Sequence, residues 1–86
     1  MDINAAADAI DKFLQGYTGA GGRKPVEIRA LPSADQHDQI KVWVNLGLAA
    51  EKDDLEIWCA TCDKAIRAAL PAVGGAFDLK IRADAM

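Results

Sequence analysis

The chain has 86 residues, a formal net charge of −3 and a pI near 4.9. This length predicts one domain over residues 1–86 with a small core, and the acidic balance argues against wholesale binding of nucleic acid. Asp2 and Asp8 lie where a secretory signal needs basic residues, and no apolar run is long enough to cross a membrane. The sequence therefore predicts a cytoplasmic protein with no membrane partner.

The first half of the chain predicts a helix, a connection and two strands. Residues 1–17 form the N-terminal helix, because apolar side chains recur there at three- and four-residue spacing. Residues 18–25, TGAGGRKP, predict a flexible linker. Apolar and charged side chains then alternate over 26–31 and 40–46, which is typical of strands with one buried face.

Residues 53–70, DDLEIWCATCDKAIRAAL, fit two different structures. As one helix, the stretch would place its large apolar residues and both cysteines on one stripe. As a strand over 55–60 followed by a helix from Thr61, it would point Trp58 away from the core. We favour the strand followed by a helix, because a single helix would leave Ile57 in water and the run from Ile57 to Cys59 suits a strand.

A final strand over 77–83 completes the order α-β-β-β-α-β, with the sheet and second helix over 26–83. Each strand has one apolar and one charged face, as expected for a sheet that helices cover on one side only. We therefore predict an α+β two-layer sandwich with a mainly antiparallel sheet and the helices on one face.

The helix-free face of this sheet is the predicted binding surface. If the second and third strands form a hairpin, Trp43 and Trp58 lie opposite each other on that face. The alternation of side chains places four cations around them: Arg29, Lys41, Lys80 and Arg82. Tryptophan and arginine dominate the binding energy of protein interfaces, so we expect another protein as the partner.

Other occupants of this face are weighed against a protein partner. Self-association as a homodimer and mutual packing of the two indoles are the alternatives to docking on a different protein. Single-stranded nucleic acid could stack on the tryptophans, but Glu27, Glu56 and Asp78 lie between the cations and disfavour it.

The segment Trp58-Cys59-Ala60-Thr61-Cys62 resembles the WCxxC active site of thioredoxin-like oxidoreductases. The resemblance implies a redox role for Cys59 and Cys62, with a thiolate beside a helix N-terminus attacking disulfides. On the favoured fold, however, Cys59 points inward, where cysteine behaves as a small hydrophobe. A single CxxC also provides too few ligands for a closed zinc site, so we predict no metal.

A second resemblance covers roughly residues 25–83 as a hydrophobic pattern. The segments PVEIRALP, IKVWVNL, DLEIWCA, RAALPAV and FDLKIRA, in this order, resemble the C-terminal substrate-specificity-switch domains of type III export proteins. The resemblance implies an export specificity switch as an alternative function. Pro32-Ser-Ala-Asp-Gln replaces the Pro-x-x-Leu-Gly turn that such domains usually contain.

The predicted function is a non-enzymatic protein-binding module. No Ser/His/Asp set, acidic dyad or phosphate-binding loop has the required spacing, so we expect neither catalysis nor a cofactor. A compact acidic domain of this kind fits a regulatory subunit or inhibitor, including those that phages and other mobile elements encode.

Overall fold

A computed structural model describes all 86 residues. It contains three α-helices, a short 3-10 helix and three strands. In chain order these are α1 (Ile3–Gln15), the 3-10 helix (Ala20–Gly22), β1 (Glu27–Pro32), β2 (Gln39–Asn45), α2 (Lys52–Ala69), α3 (Pro71–Ala76) and β3 (Asp78–Asp84).

The three strands form one sheet in the order β1-β2-β3. The β1 and β2 strands pair antiparallel, whereas β3 lies parallel to β2 because the chain returns through the α2–α3 crossover. The buried residues of the helices and of β2 belong to one core cluster. The predicted α+β architecture, with helices packed on the sheet, is confirmed.

Helix α1 forms close to the predicted bounds. The Asp2 side chain accepts a hydrogen bond of 3.3 Å from the backbone N–H of Ala5, which satisfies one of the free donors of the first turn. Ile10 and Leu14 are fully buried, one helical turn apart. They pack in the core with Ile40, Val42 and Val44. Because side chains alternate along a strand, the residues between these three point to the other face of β2, which no helix covers.

The strand predicted over 55–60 is wrong, since these residues lie inside the single long helix α2. A capping box starts this helix: Glu51 and Asp54 each accept a hydrogen bond from the other's backbone N–H. Trp58, Cys62 and Ile66 recur every four residues and are completely buried. Burial of this stripe outweighs the exposure of Ile57, which was one of the two reasons for favouring a strand.

The segment predicted as a flexible linker contains the 3-10 helix and contacts α2. The backbone N–H of Gly19 donates to the carbonyl of Arg23 at 2.9 Å, which closes the segment into a loop. The Arg23 guanidinium reaches the Asp54 carboxylate at 3.1 Å. The loop is therefore joined to the first turn of α2.

Candidate functional site: the basic sheet face

The helix-free face of the sheet brings together five of the six residues predicted to bind a partner. Cross-strand pairing places Trp43 between Arg29 and Arg82 in one row. The next row has Lys41 between Leu31 and Lys80. We call these six residues the basic face: Arg29, Leu31, Lys41, Trp43, Lys80 and Arg82.

Trp43 is the central residue of the basic face and is held in place from one side. Its indole Nε1 donates a hydrogen bond of 2.7 Å to Oδ2 of Asp84, and Nε of Arg82 lies 3.3 Å from the same oxygen. The ring is partly buried, and a hollow of about 290 Å³ lies beside it, lined in part by Lys41, Lys80 and Arg82. The face therefore presents a fixed aromatic surface surrounded by cations.

The cations of the basic face are exposed and weakly paired. Arg29 and Lys80 are in no ion pair, and the Arg82 side chain is 76% exposed although it contacts Asp84. Lys41 reaches Asp35 at 3.4 Å, and both of these side chains are exposed. Exposed pairs of this kind contribute little to stability, so these cations are available to an incoming acidic group.

Acidic and amide side chains mark one end of the basic face. Asn45 is buried there, donating a hydrogen bond of 3.0 Å to Glu27 and accepting one from the backbone N–H of Met86. Asp84 lies in the same row. The hydrogen bond from Trp43, assisted by the charge of Arg82, lowers the pKa of the Asp84 carboxyl, so this acid stays ionised.

Trp58 is not on this face, and its prediction as a partner-binding residue is corrected. It is completely buried in the core, where its Nε1 donates a hydrogen bond of 3.0 Å to the carbonyl of Arg23. Its ring meets Tyr17 edge-on, with 5.6 Å between ring centroids. The helical spacing of Trp58, Cys62 and Ile66 was the sequence signal for this position.

The two cysteines lie in the middle of α2, and neither has the setting of a reactive thiol. Cys59 follows the start of the helix by about two turns, so no helix N-terminus stabilises its thiolate. Cys62 is completely buried, and burial raises the pKa of its thiol to about 12, assisted by the nearby Cys59 and Asp63. Burial also raises the pKa of Cys59.

Sequence reasoning missed a groove beside the free edge of β3. Its volume is about 500 Å³, and Leu55 and Cys59 of α2 form one wall. Ile81 and Ala83 of β3 form the other wall, with Lys80 and Arg82 at its rim. The groove exists because α2 packs next to β3. It could not be predicted from a fold in which residues 55–60 form a strand.

Comparisons with protein-family models, with curated proteins and with solved structures find no match. The segment DLEIWCA is one of the five on which the resemblance to export specificity switches is based, and it lies within α2. None of the helices has the length and apolar character needed to cross a membrane. No group of three or more His, Cys, Asp and Glu side chains is placed to hold a metal ion.

Proposed function

We propose that this chain is a non-enzymatic protein-binding module, a regulatory subunit or inhibitor, that docks its basic face on an acidic surface of another protein. The supporting observation is the row Arg29–Trp43–Arg82 on the helix-free side of the sheet. It combines a large aromatic ring with two guanidinium groups, and these residue types are enriched at the centres of protein interfaces.

Preorganisation supports Trp43 as the anchor of this interface. Its hydrogen bond to Asp84 fixes the indole before binding, so little side-chain entropy remains to be lost when a partner covers the ring. The surrounding cations attract an acidic partner and orient it during the encounter. Leu31, which is 60% exposed, adds apolar area to the same face.

A protein fits this face better than single-stranded nucleic acid does. Surfaces that bind single strands stack successive bases on several aromatic rings, and the basic face has Trp43 alone. Glu27 and Asp84 lie in the row beyond Trp43, and Asp78 lies in the row beyond Lys41, so a continuous phosphate backbone would meet negative charge at both ends of the face.

The proposal is tested by affinity capture, in which this protein is immobilised and retains its partner from a cell lysate. The wild type is compared with Trp43→Ala and Arg29→Glu, and Lys64→Glu is the matched control because Lys64 is exposed on α2. We expect the wild type and Lys64→Glu to retain the same partner, and the two face variants to lose it. Binding should also weaken as salt rises, because the cations are exposed.

Circular dichroism and thermal unfolding must first show that all variants are folded. Equal capture by Trp43→Ala, Arg29→Glu and the wild type would contradict the proposal. Tight, salt-sensitive binding of a single-stranded oligonucleotide that is lost in Trp43→Ala would replace a protein partner with nucleic acid.

A further inference from the structure

Strand β3 leaves one edge of the sheet unpaired. The backbone N–H of Asp78 donates to the carbonyl of Asp38, just before β2, and the carbonyl of Asp84 accepts from the N–H of Leu46, just after β2. The even-numbered residues of β3 therefore bond towards β2. Backbone groups of alternate residues point to opposite edges of a strand, and those of Leu79, Ile81 and Ala83 therefore point outward. Such an edge is a template for another strand.

The groove between β3 and α2 gives this edge a built site. Apart from the exposed Glu56 of α2, its walls are apolar and lie on the helix side of the sheet, with Leu55 and Cys59 on one side and Ile81 and Ala83 on the other. Cys59 lies close to the backbone of Ala83, so α2 covers the end of the edge at this residue. The N–H and C=O groups of Leu79 and Ile81 remain directed at the edge.

The two faces of β3 differ along this edge. Lys80 and Arg82 point to the basic face, whereas Leu79 and Ile81 point to the core side. Successive side chains of an added strand would also point to opposite sides. One set would enter the apolar groove, and the other set would lie beside Lys80 and Arg82.

We propose that β3 accepts an extended segment of the partner as a fourth strand, one in which apolar and acidic side chains alternate. This inference rests on the proposed function and specifies the partner's shape. Main-chain hydrogen bonds to Leu79 and Ile81 supply affinity, and the alternation selects the sequence. Acidic side chains opposite Lys80 and Arg82 add favourable cross-strand pairs.

A second copy of this chain fits the same edge poorly. Antiparallel pairing of β3 with itself about Ile81 places Lys80 opposite Arg82 on the same face. Centring the pair on residue 80 or 82 places two lysines or two arginines opposite each other at the centre, and the flanking pairs of opposite charge, Asp78 with Arg82 or Lys80 with Asp84, come only with a shorter overlap of the strands. Like charges directly opposite are destabilising, so the charge pattern favours an acidic strand from a different protein.

The test uses an acetylated, amidated peptide of four valine–glutamate repeats with the wild-type protein, followed by NMR amide hydrogen exchange. We expect slower exchange at Leu79 and Ile81, while the amides of Lys80 and Arg82, already bonded towards β2, change little. A peptide of the same composition with four valines followed by four glutamates is the control, and it should leave Leu79 and Ile81 unchanged.

Two N-methylated peptides distinguish an added strand from simple charge attraction. Methylating the valine nitrogens blocks one edge of the peptide, and methylating the glutamate nitrogens blocks the other edge. One of the two should bind at least about tenfold more weakly, since it loses several main-chain hydrogen bonds, while the other keeps its affinity.

Each remaining result overturns the edge proposal in a recognisable way. If the peptide shifts only the NMR signals of Trp43 and Arg29 and both N-methylated forms bind equally, the basic face binds acidic peptide without strand addition. In that case the proposed function stands. If no peptide binds, the edge proposal fails while affinity capture still decides the proposed function. Concentration-dependent protection of Leu79 and Ile81 without peptide would assign the edge to a second copy.

Discussion

The indole Nε1 of Trp43 donates a hydrogen bond of 2.7 Å to Oδ2 of Asp84 across the parallel strands β2 and β3. The same oxygen lies 3.3 Å from Nε of Arg82, which is the direct cross-strand neighbour of Trp43. One carboxylate thus orients both the aromatic ring and a cation of the basic face. The anchor and its charged surround are therefore coupled.

Replacing Trp43 by phenylalanine should raise the pKa of Asp84 towards its usual value of 3.8. The indole hydrogen bond is the largest single cause of the lowered pKa, and Arg82 lowers it further through its charge and a hydrogen bond. A carboxyl with a lowered pKa in the folded state stabilises the fold above its usual pKa, and this stability is lost as pH falls through the lowered value. The variant should therefore lose less stability on acidification.

NMR titration of the Asp84 carboxyl carbon measures this shift directly. Arg82→Gln is the companion variant and should also raise the pKa of Asp84, because Arg82 lowers this pKa through its charge. An unchanged Asp84 pKa in Trp43→Phe would show that the hydrogen bond is not what keeps this acid ionised.

Trp58→Ala should destabilise the protein far more than Trp43→Ala. Removing the fully buried Trp58 leaves a cavity in the core and should cost about 3–5 kcal/mol, a large share of the roughly 5–15 kcal/mol typical of a small domain. Trp43 lies on the sheet surface, so its loss opens no cavity. Urea unfolding of both variants measures the difference, and similar free energies of unfolding would contradict the burial of Trp58.

The sequence predicted most of the sheet but misplaced one of its two tryptophans. Alternation over 40–46 was unambiguous, and it placed Lys41 and Trp43 on the open face. The apolar side chains of residues 55–60 fit both the two-residue period of a strand and the 3.6-residue period of a helix, and local preference favoured a strand around Ile57. The long-range burial of Trp58 against the Gly19–Arg23 loop decided for a helix, and no local pattern reports such a contact.

Gly19→Ala should destabilise the protein by about 1–3 kcal/mol through overpacking. A Cβ at this position would lie 2.8 Å from Cε2 of Trp58, and the indole is enclosed by the core. Gly75→Ala is the control, because nothing lies within 4 Å of its added Cβ and alanine favours the helical conformation of α3. Thermal unfolding should separate the two, and equal midpoints would mean that the loop does not pack tightly on Trp58.

Alkylation with iodoacetamide should separate the two cysteines and test the redox alternative. Thiolates are the reactive form, and burial raises the pKa of both thiols, to about 12 for Cys62. Near neutral pH, the partly exposed Cys59 should react slowly and the buried Cys62 only when the protein unfolds. Labelling of the urea-unfolded protein gives the reference rate for each thiol.

A fast reaction of Cys59 at slightly acidic pH, or a disulfide between Cys59 and Cys62 in mildly oxidising buffer, would support the thiol–disulfide alternative. Replacing Cys59 by serine and Cys62 by alanine then separates chemistry from structure. The folded double variant should retain its partner in affinity capture, because neither side chain is part of the basic face and serine at position 59 nearly preserves the size of the groove wall. Loss of capture with unchanged stability would place the cysteines in the function.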